Sequence, residues 1–367
     1  MKNKKLLISI IILIAVVVLI ATFMLFGKKD KPILIAEETN MEEVQDEVVM
    51  ETELEVAKLA LTLLEDGKVN LYSIDTDEMI SQVDLAQIYS ENNGEGVGTD
   101  ASNTEPIVDN SGIYRSIKND SNEFFIFYNE KSNKLFSVKT EGGALSSELL
   151  LDGIDVTNLN TIWANNEVAY LTFKDKTELI KYDLTKEEVT KEAFALEGVP
   201  TALAVKNDCV YYAYADKLAK LDTIDKKTVS VLLGDRSNDV VLENDVLYVV
   251  NDFGSGKNNS VLIKINPEDL KVEGIIELKG AKSELIGINN AKTVLYVVQN
   301  GEEYNVKSVD LTKFKPMYSY NLIKDRYFKL YDNALYYQEG NTLKVHSLKT
   351  NEAIKDITID GTLINIK

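Results

Sequence analysis

One cysteine, one histidine and one tryptophan occur in 367 residues, and proline is held to five. A lone Cys209 rules out an intramolecular disulfide, so packing and hydrogen bonds must hold the chain together. Its neighbours Asp208, Val210, Tyr211 and Tyr212 read as strand, which makes it a buried structural thiol rather than a nucleophile. One cysteine and one histidine cannot assemble a Cys/His metal cluster, and the lone His346, on a strand-like segment, reads as an ordinary surface or core residue rather than a catalytic one. There is no Gly-rich phosphate loop followed by Lys and Ser/Thr, and no Gly-x-Ser-x-Gly elbow. Gly254-Ser-Gly256-Lys257 joins two strand-like segments instead of opening a helix, so turn chemistry explains it.

Excess positive charge is missing as well. The formal net charge is −19 and the pI is near 4.6, with no Lys/Arg stripe. Nucleic acid is therefore excluded as a partner, because phosphate binding relies on clustered cations that release counterions. Apolar residues make up 45% of the chain, enough for a packed body.

The long uncharged run is at the N-terminus. Residues 6–26 carry no charge, and only Ser9 and Thr22 interrupt the apolar side chains. As a helix they span about 31 Å, the thickness of a hydrocarbon core. A cleaved signal peptide has a shorter core and a small-residue cleavage site, whereas this run ends in Met24-Leu-Phe26. Residues 6–26 are thus expected to be a single-pass signal anchor in the lipid bilayer behind a short tail, residues 1–5. Lysines at 2, 4 and 5 balance those at 28, 29 and 31. The free amino terminus and the long acidic body after a first helix favour a body outside the cytoplasm. Residues 27–56 follow as a stalk: from Pro32 to Val56 there are nine acids and no Lys or Arg, a self-repelling segment.

Beyond it the chain repeats. Strand-like segments ending at Asp75, Lys139, Asp183, Asp222, Asn266, Asp310 and Lys349 are separated, after the first gap of 64, by 44, 39, 44, 44 and 39 residues. Most are preceded by a second strand bearing a tyrosine, at Tyr170, Tyr211, Tyr248, Tyr296 and Tyr336. Four short strands in about 42 residues, seven times over, are the pattern of an all-β, seven-bladed β-propeller. The first unit, from 57, has three clear strands, and Thr362-Leu-Ile-Asn-Ile366 is left over at the other end. That surplus strand is expected to complete the first blade and close a ring over residues 57–367. The recurring Asp and Asn residues are expected to cap turns, and the tyrosines to pack between blades.

Leu247-Tyr-Val-Val-Asn251 and Leu295-Tyr-Val-Val-Gln299, each followed by a strand ending in hydrophobic-Asp or Asn, resemble the YVTN/YncE-like (WD40-like) propeller family. Gly198 and Pro200 before Ala202-Leu-Ala-Val205 match that family's inter-blade pattern once. The resemblance implies a seven-bladed ring and says little of activity. Quinone-dependent propellers carry recurring tryptophan motifs, which Trp163 alone does not supply.

Two insertions break the period: Ala86–Ser111 and Asp252–Asn259. In a four-stranded meander both leave the ring on one face, so that face is the expected binding surface. Its candidate residues are Tyr89, Asn92, Asn93, Asp252, Phe253, Lys257 and Asn258. No catalytic, cofactor-binding or metal-ligating residue is assigned. The expected function is a non-enzymatic scaffold that binds an envelope protein or polymer. The alternative is a lactonase-like hydrolase or lyase with its site in the channel.

Overall fold

The computed structural model describes residues 59–92 and 114–366, apart from short segments at 120–123, 187–188, 235, 253–258, 280–282, 289–291, 301–303, 323–327, 332–333, 349 and 351. The apolar run and the stalk lie outside the described residues. Among those described, no helix is long and apolar enough to cross a membrane.

Twenty-eight strands form seven four-stranded antiparallel sheets, each a blade of a seven-bladed β-propeller. Blade 2 holds β4 (Tyr114–Ile117) to β7 (Ala144–Leu151), blade 3 β8 (Leu159–Ala164) to β11 (Thr190–Ala195), and blade 4 β12 (Ala202–Lys206) to β15 (Lys227–Leu232). Blade 5 runs from β16 (Ser237–Glu243) to β19 (Val272–Lys279), blade 6 from β20 (Ser283–Ile288) to β23 (Lys315–Leu322), and blade 7 from β24 (Phe328–Tyr331) to β27 (Ala353–Thr358). Blade 1 is composite. Its order is β28 (Thr362–Ile366), β1 (Leu59–Leu63), β2 (Lys68–Ser73), β3 (Glu78–Asp84).

First strands of neighbouring blades pack on one another around the ring, so they face the axis. Fourth strands such as β11 and β15 are the most exposed and form the rim. A single sheet of this size cannot bury both faces by itself, and stacking solves the problem. Seven apolar clusters lie one between each pair of consecutive blades, including one between blade 7 and blade 1. The repeated tyrosines belong to these layers: Tyr170, Tyr211, Tyr248, Tyr296 and Tyr336 are all buried. Tyr211 also donates its hydroxyl to the Pro267 carbonyl of blade 5, 3.1 Å away. Cys209 sits half-buried in β13 (Cys209–Tyr214) at the edge of the blade 4–5 layer, and burial pushes its thiol pKa up, so it is not a ready thiolate.

Polar clasps tie the axial strands together. Asn119, just past β4, donates to the carbonyls of Ala164 (2.9 Å) and Phe124 (3.1 Å) while its Oδ1 accepts the Ala164 N–H (2.9 Å). Its amide thus imitates a strand neighbour and joins blade 2 to blade 3. Asn160 donates to Pro200 O, Thr201 to Ser237 O and Asn238 to Ser283 O, each reaching the next blade. At the seam Gln338 accepts the Leu363 N–H and donates to Gly361 O, both at 2.8 Å.

The strand-end acids cap turns. Asp222 Oδ1 accepts the N–H groups of Ile224 (2.9 Å) and Asp225 (2.8 Å), and Asp310 does the same for Thr312 and Lys313. Asp183 accepts from the Thr185 hydroxyl and N–H, and with Lys186 beside it the carboxyl pKa falls to about 2. Blade 1 departs from this pattern: the turn is capped by the Ser73 hydroxyl bound to Thr76 N–H, two residues before Asp75. Gly198 is needed for a close approach, since a Cβ there would collide with the Tyr214 ring.

Closure is carried by β28, which pairs antiparallel with β1 and buries Leu363 and Ile366 in the blade 7–1 layer. Thr62 Oγ1 donates to Asp360 O at 2.6 Å and Tyr72 Oη accepts the Asp360 N–H at 3.0 Å. Deleting residues 362–367 removes both side chains and bares the edge of β1. It should cost about 5 kcal/mol in a urea melt, counting about 2–3 kcal/mol for each buried aliphatic side chain; a loss below about 1 kcal/mol would show that the ring closes without β28.

Candidate functional sites

The meander decides which loops share a face. Within each blade the connection between the second and third strands and the one leaving the fourth strand emerge together. Both inserted connections, after β3 and between β17 (Val246–Asp252) and β18 (Asn259–Ile265), belong to this loop face. The first begins as a helix, where the sequence suggested loop from Ala86 onward: α1 spans Leu85–Asn92. Asp84 caps it by accepting the Ala86 N–H at 2.9 Å, and Leu85 and Ala86 are buried in the blade 1–2 layer. With Ile88 packed on the same layer, the apolar residues suffice for two short turns.

Of the residues singled out on this face, Tyr89 and Asn92 lie in α1. Asn93, Phe253, Lys257 and Asn258 lie outside the described residues. Asp252 ends β17, and its Oδ1 accepts the Ser260 hydroxyl at 2.8 Å and the Ser283 N–H at 3.3 Å. It therefore anchors the root of the connection and ties blade 5 to blade 6. His346 is half-buried on β26 (Thr342–Ser347), the third strand of its blade and away from the axis.

A second constellation lies on the axis and was not read from the sequence. Asp239 on β16 of blade 5 faces Lys118, which follows β4 of blade 2, and their Oδ2–Nζ separation is 3.7 Å. Blades 2 and 5 are three steps apart, so this pair spans the channel. The Asp239 side chain is 10% exposed and the Lys118 side chain 61%. Asp239 is fixed by accepting the N–H groups of Val240 (2.9 Å) and, from the next blade, Leu285 (3.2 Å). Burial raises its pKa, and the Lys118 charge and the two backbone bonds oppose that rise.

Lys329 on β24 of blade 7 adds a second ammonium. It is paired in register with Tyr336, as Val241 is with Tyr248 and Gly287 with Tyr296, which places it at mid-depth, two residues along from the level of Asp239. Burial lowers its pKa, and the neighbouring Lys118 charge lowers it further. Its ammonium has no ion-pair partner among the described residues. The sequence signal for all three is a charged residue in or beside an innermost strand, legible only once blade order shows which strands are innermost. Among the described residues no group of His, Cys, Asp and Glu could hold a metal ion.

No protein-family model matches the sequence, and no curated protein does. Solved structures do. Apo AztD from Citrobacter koseri superposes with a TM-score of 0.53 at 10% identity, over 84% of this chain and 96% of the other. A functionally unknown protein from Desulfotomaculum acetoxidans gives 0.54 at 12%, over 84% and 99%. The dihydro-heme d1 dehydrogenase NirN, solved in complex with DHE, gives 0.53 at 9%, over 86% and 76%. The likeness is one of fold. At such identities it extends to the propeller ring and no further.

Lys329 supplies a test of the channel geometry. A depressed lysine pKa gives stability that is present above the ordinary lysine value and lost as pH falls through the folded value. At neutral pH the charged form therefore costs the fold. Lys329→Met should raise stability at pH 7 by about 1 kcal/mol, and the advantage should shrink as pH rises towards 10.5. A variant less stable than the parent at pH 7 in chemical denaturation would mean that Lys329 is satisfied.

Proposed function

We propose that the chain is a membrane-anchored scaffold whose propeller, held outside the cytoplasm, captures an envelope protein or polymer on its loop face. The observation that carries this reading is the polarity of blade 1. β1 starts at Leu59 beside Ser73, at the end of the blade where β2 turns into β3. At the opposite end, α1 begins at Leu85, whose N–H bonds Gly67 O. Whatever precedes Leu59 thus joins the ring on the face opposite α1 and the two inserted connections. With residues 6–26 in the bilayer and an acidic stalk between, the loop face turns away from the membrane, and both the stalk and the net charge of −19 keep the ring off anionic lipid.

The YVTN/YncE-like resemblance fits this reading: its two best segments lie in β17 and β21 (Val294–Asn300), the second strands of blades 5 and 6. Hydrolase or lyase chemistry in the channel is the second reading. It draws on the displaced titration of Asp239 and Lys329, since such groups gather at functional sites.

Protease added to intact cells should remove the ring. Replacing 93–111 and 253–258 by tight Asn-Gly turns should leave the melting temperature within about 2 °C of the parent while pull-down from solubilised membranes loses the partner. Protection of the ring in intact cells but not in lysed ones would overturn the orientation. Unchanged capture without both connections would overturn the choice of face.

A further inference from the structure

The rim carries one strand edge that the scaffold reading does not use. The fourth strands β3, β7, β19, β23 and β27 each shift register against the third strand of their blade, the mark of a bulge. Bulges twist an outer strand and spoil it as a template for further pairing. Among the fourth strands only β11 and β15 pair along their whole length without a shift. β11 is guarded by exposed charges at Lys191 and Glu192. β15 is not: its middle is Thr228-Val-Ser-Val231, its one charge is Lys227 at the end, and Val229 is 57% exposed. Ile224, in the turn before it, is 68% exposed.

Alternation along an antiparallel ladder fixes which backbone groups this edge offers. The Leu233 N–H bonds Asp216 O at 2.8 Å, so the odd-numbered residues from 227 to 233 turn their N–H and C=O groups inward to β14 (Lys217–Asp222) and its end. Thr228, Ser230 and Leu232 turn theirs outward, and no described residue bonds those backbone groups. The Ser230 hydroxyl is held aside by Glu197, Oγ to Oε2 at 3.0 Å. Val229 and Val231 lie on the opposite face, Val231 against the blade 4–5 layer. The edge is therefore an open ladder beside two half-covered valines.

We propose that the β15 edge binds an extended polypeptide segment of a partner protein. The segment adds antiparallel, as an outermost strand of blade 4, with small apolar residues opposite Val229 and Val231 and an acid opposite Lys227. A row of alternating donors and acceptors recognises polypeptide backbone, and the valine face selects alternate side chains. Charge decides for the acid. Between Ala202 and Leu232 stand five lysines and four aspartates, and in no other blade do cations outnumber acids. Two copies of a chain with net charge −19 repel each other, which favours a partner over self-pairing.

The test uses the full chain in detergent and a capped, fluorescently labelled peptide, Thr-Val-Thr-Val-Thr-Glu, read by anisotropy. Its residues meet Leu232 to Lys227 in order, so the N–H of its third residue points at β15 and that of its fourth points to solvent. The peptide should bind with a Kd below about 1 mM, and N-methylation of the third residue should weaken it by about tenfold or more. N-methylation of the fourth should leave binding unchanged. Ser230→Pro removes an outward N–H while sparing the ladder to β14. It should abolish peptide binding with the melting temperature within about 4 °C of the parent, and if it fails to fold the two methylated peptides still decide. Sedimentation of the same protein reports the other occupant. The proposal is overturned by self-association that Ser230→Pro abolishes, which would give the edge to a second copy. It is equally overturned by absence of peptide binding up to about 1 mM, by equal binding of the two methylated peptides, or by undiminished binding to folded Ser230→Pro.

Discussion

Burial of each blade against its two neighbours is the interaction on which everything else depends. A four-stranded sheet of four- to eight-residue strands has two apolar faces and no way of covering either alone. The seven inter-blade layers answer this only if the seventh meets the first. The chain meets that condition by holding one strand back to its C-terminus and laying it against the first strand it made. The free energy of closure is thus shared among residues some 300 positions apart, as in the Thr62–Asp360 contact. Such long-range pairing raises the contact order of the fold.

The ring then sets what the molecule can present. Because the meander alternates direction, connections fall onto two faces, and the entry of β1 marks the face opposite the inserted loops. Because axial strands meet around a narrow channel, side chains from blades far apart in sequence converge there. Lys118 reaches Asp239 across the axis, with Lys329 close enough to feel its charge, only because three blades are fixed at set angles by layers containing none of them. Asn119, Asn160, Thr201, Asn238 and Gln338 hold those axial strands in register, taking over hydrogen bonds that strand edges facing the axis would otherwise leave to water.

Periodicity made the ring legible in the sequence. Tyr248 and Tyr296 mark second strands, Asp222 and Asp310 mark the ends of third strands, and the unpaired segment at 362–366 pointed to closure, because all of these are local patterns repeated by a repeated structure. Blade 1 was read less well. Its turn cap moved from Asp75 to Ser73, and α1 replaced the start of an expected loop, because two turns of helix are too short for a periodic signal and rest on tertiary burial of Leu85 and Ala86. The axial charges escaped for a different reason. One aspartate and two lysines in a chain rich in both carry no local signature, and only the ring brings them together.

Amide hydrogen exchange on the full-length protein tests the closed ring most directly. Ring closure through β28 predicts that the bonded amides of β28 and β1 exchange as slowly as those of central strands such as β13 and β17, and by the same cooperative opening. Exchange of β28 and β1 at the rate of a frayed terminus, with β13 and β17 still protected, would contradict it.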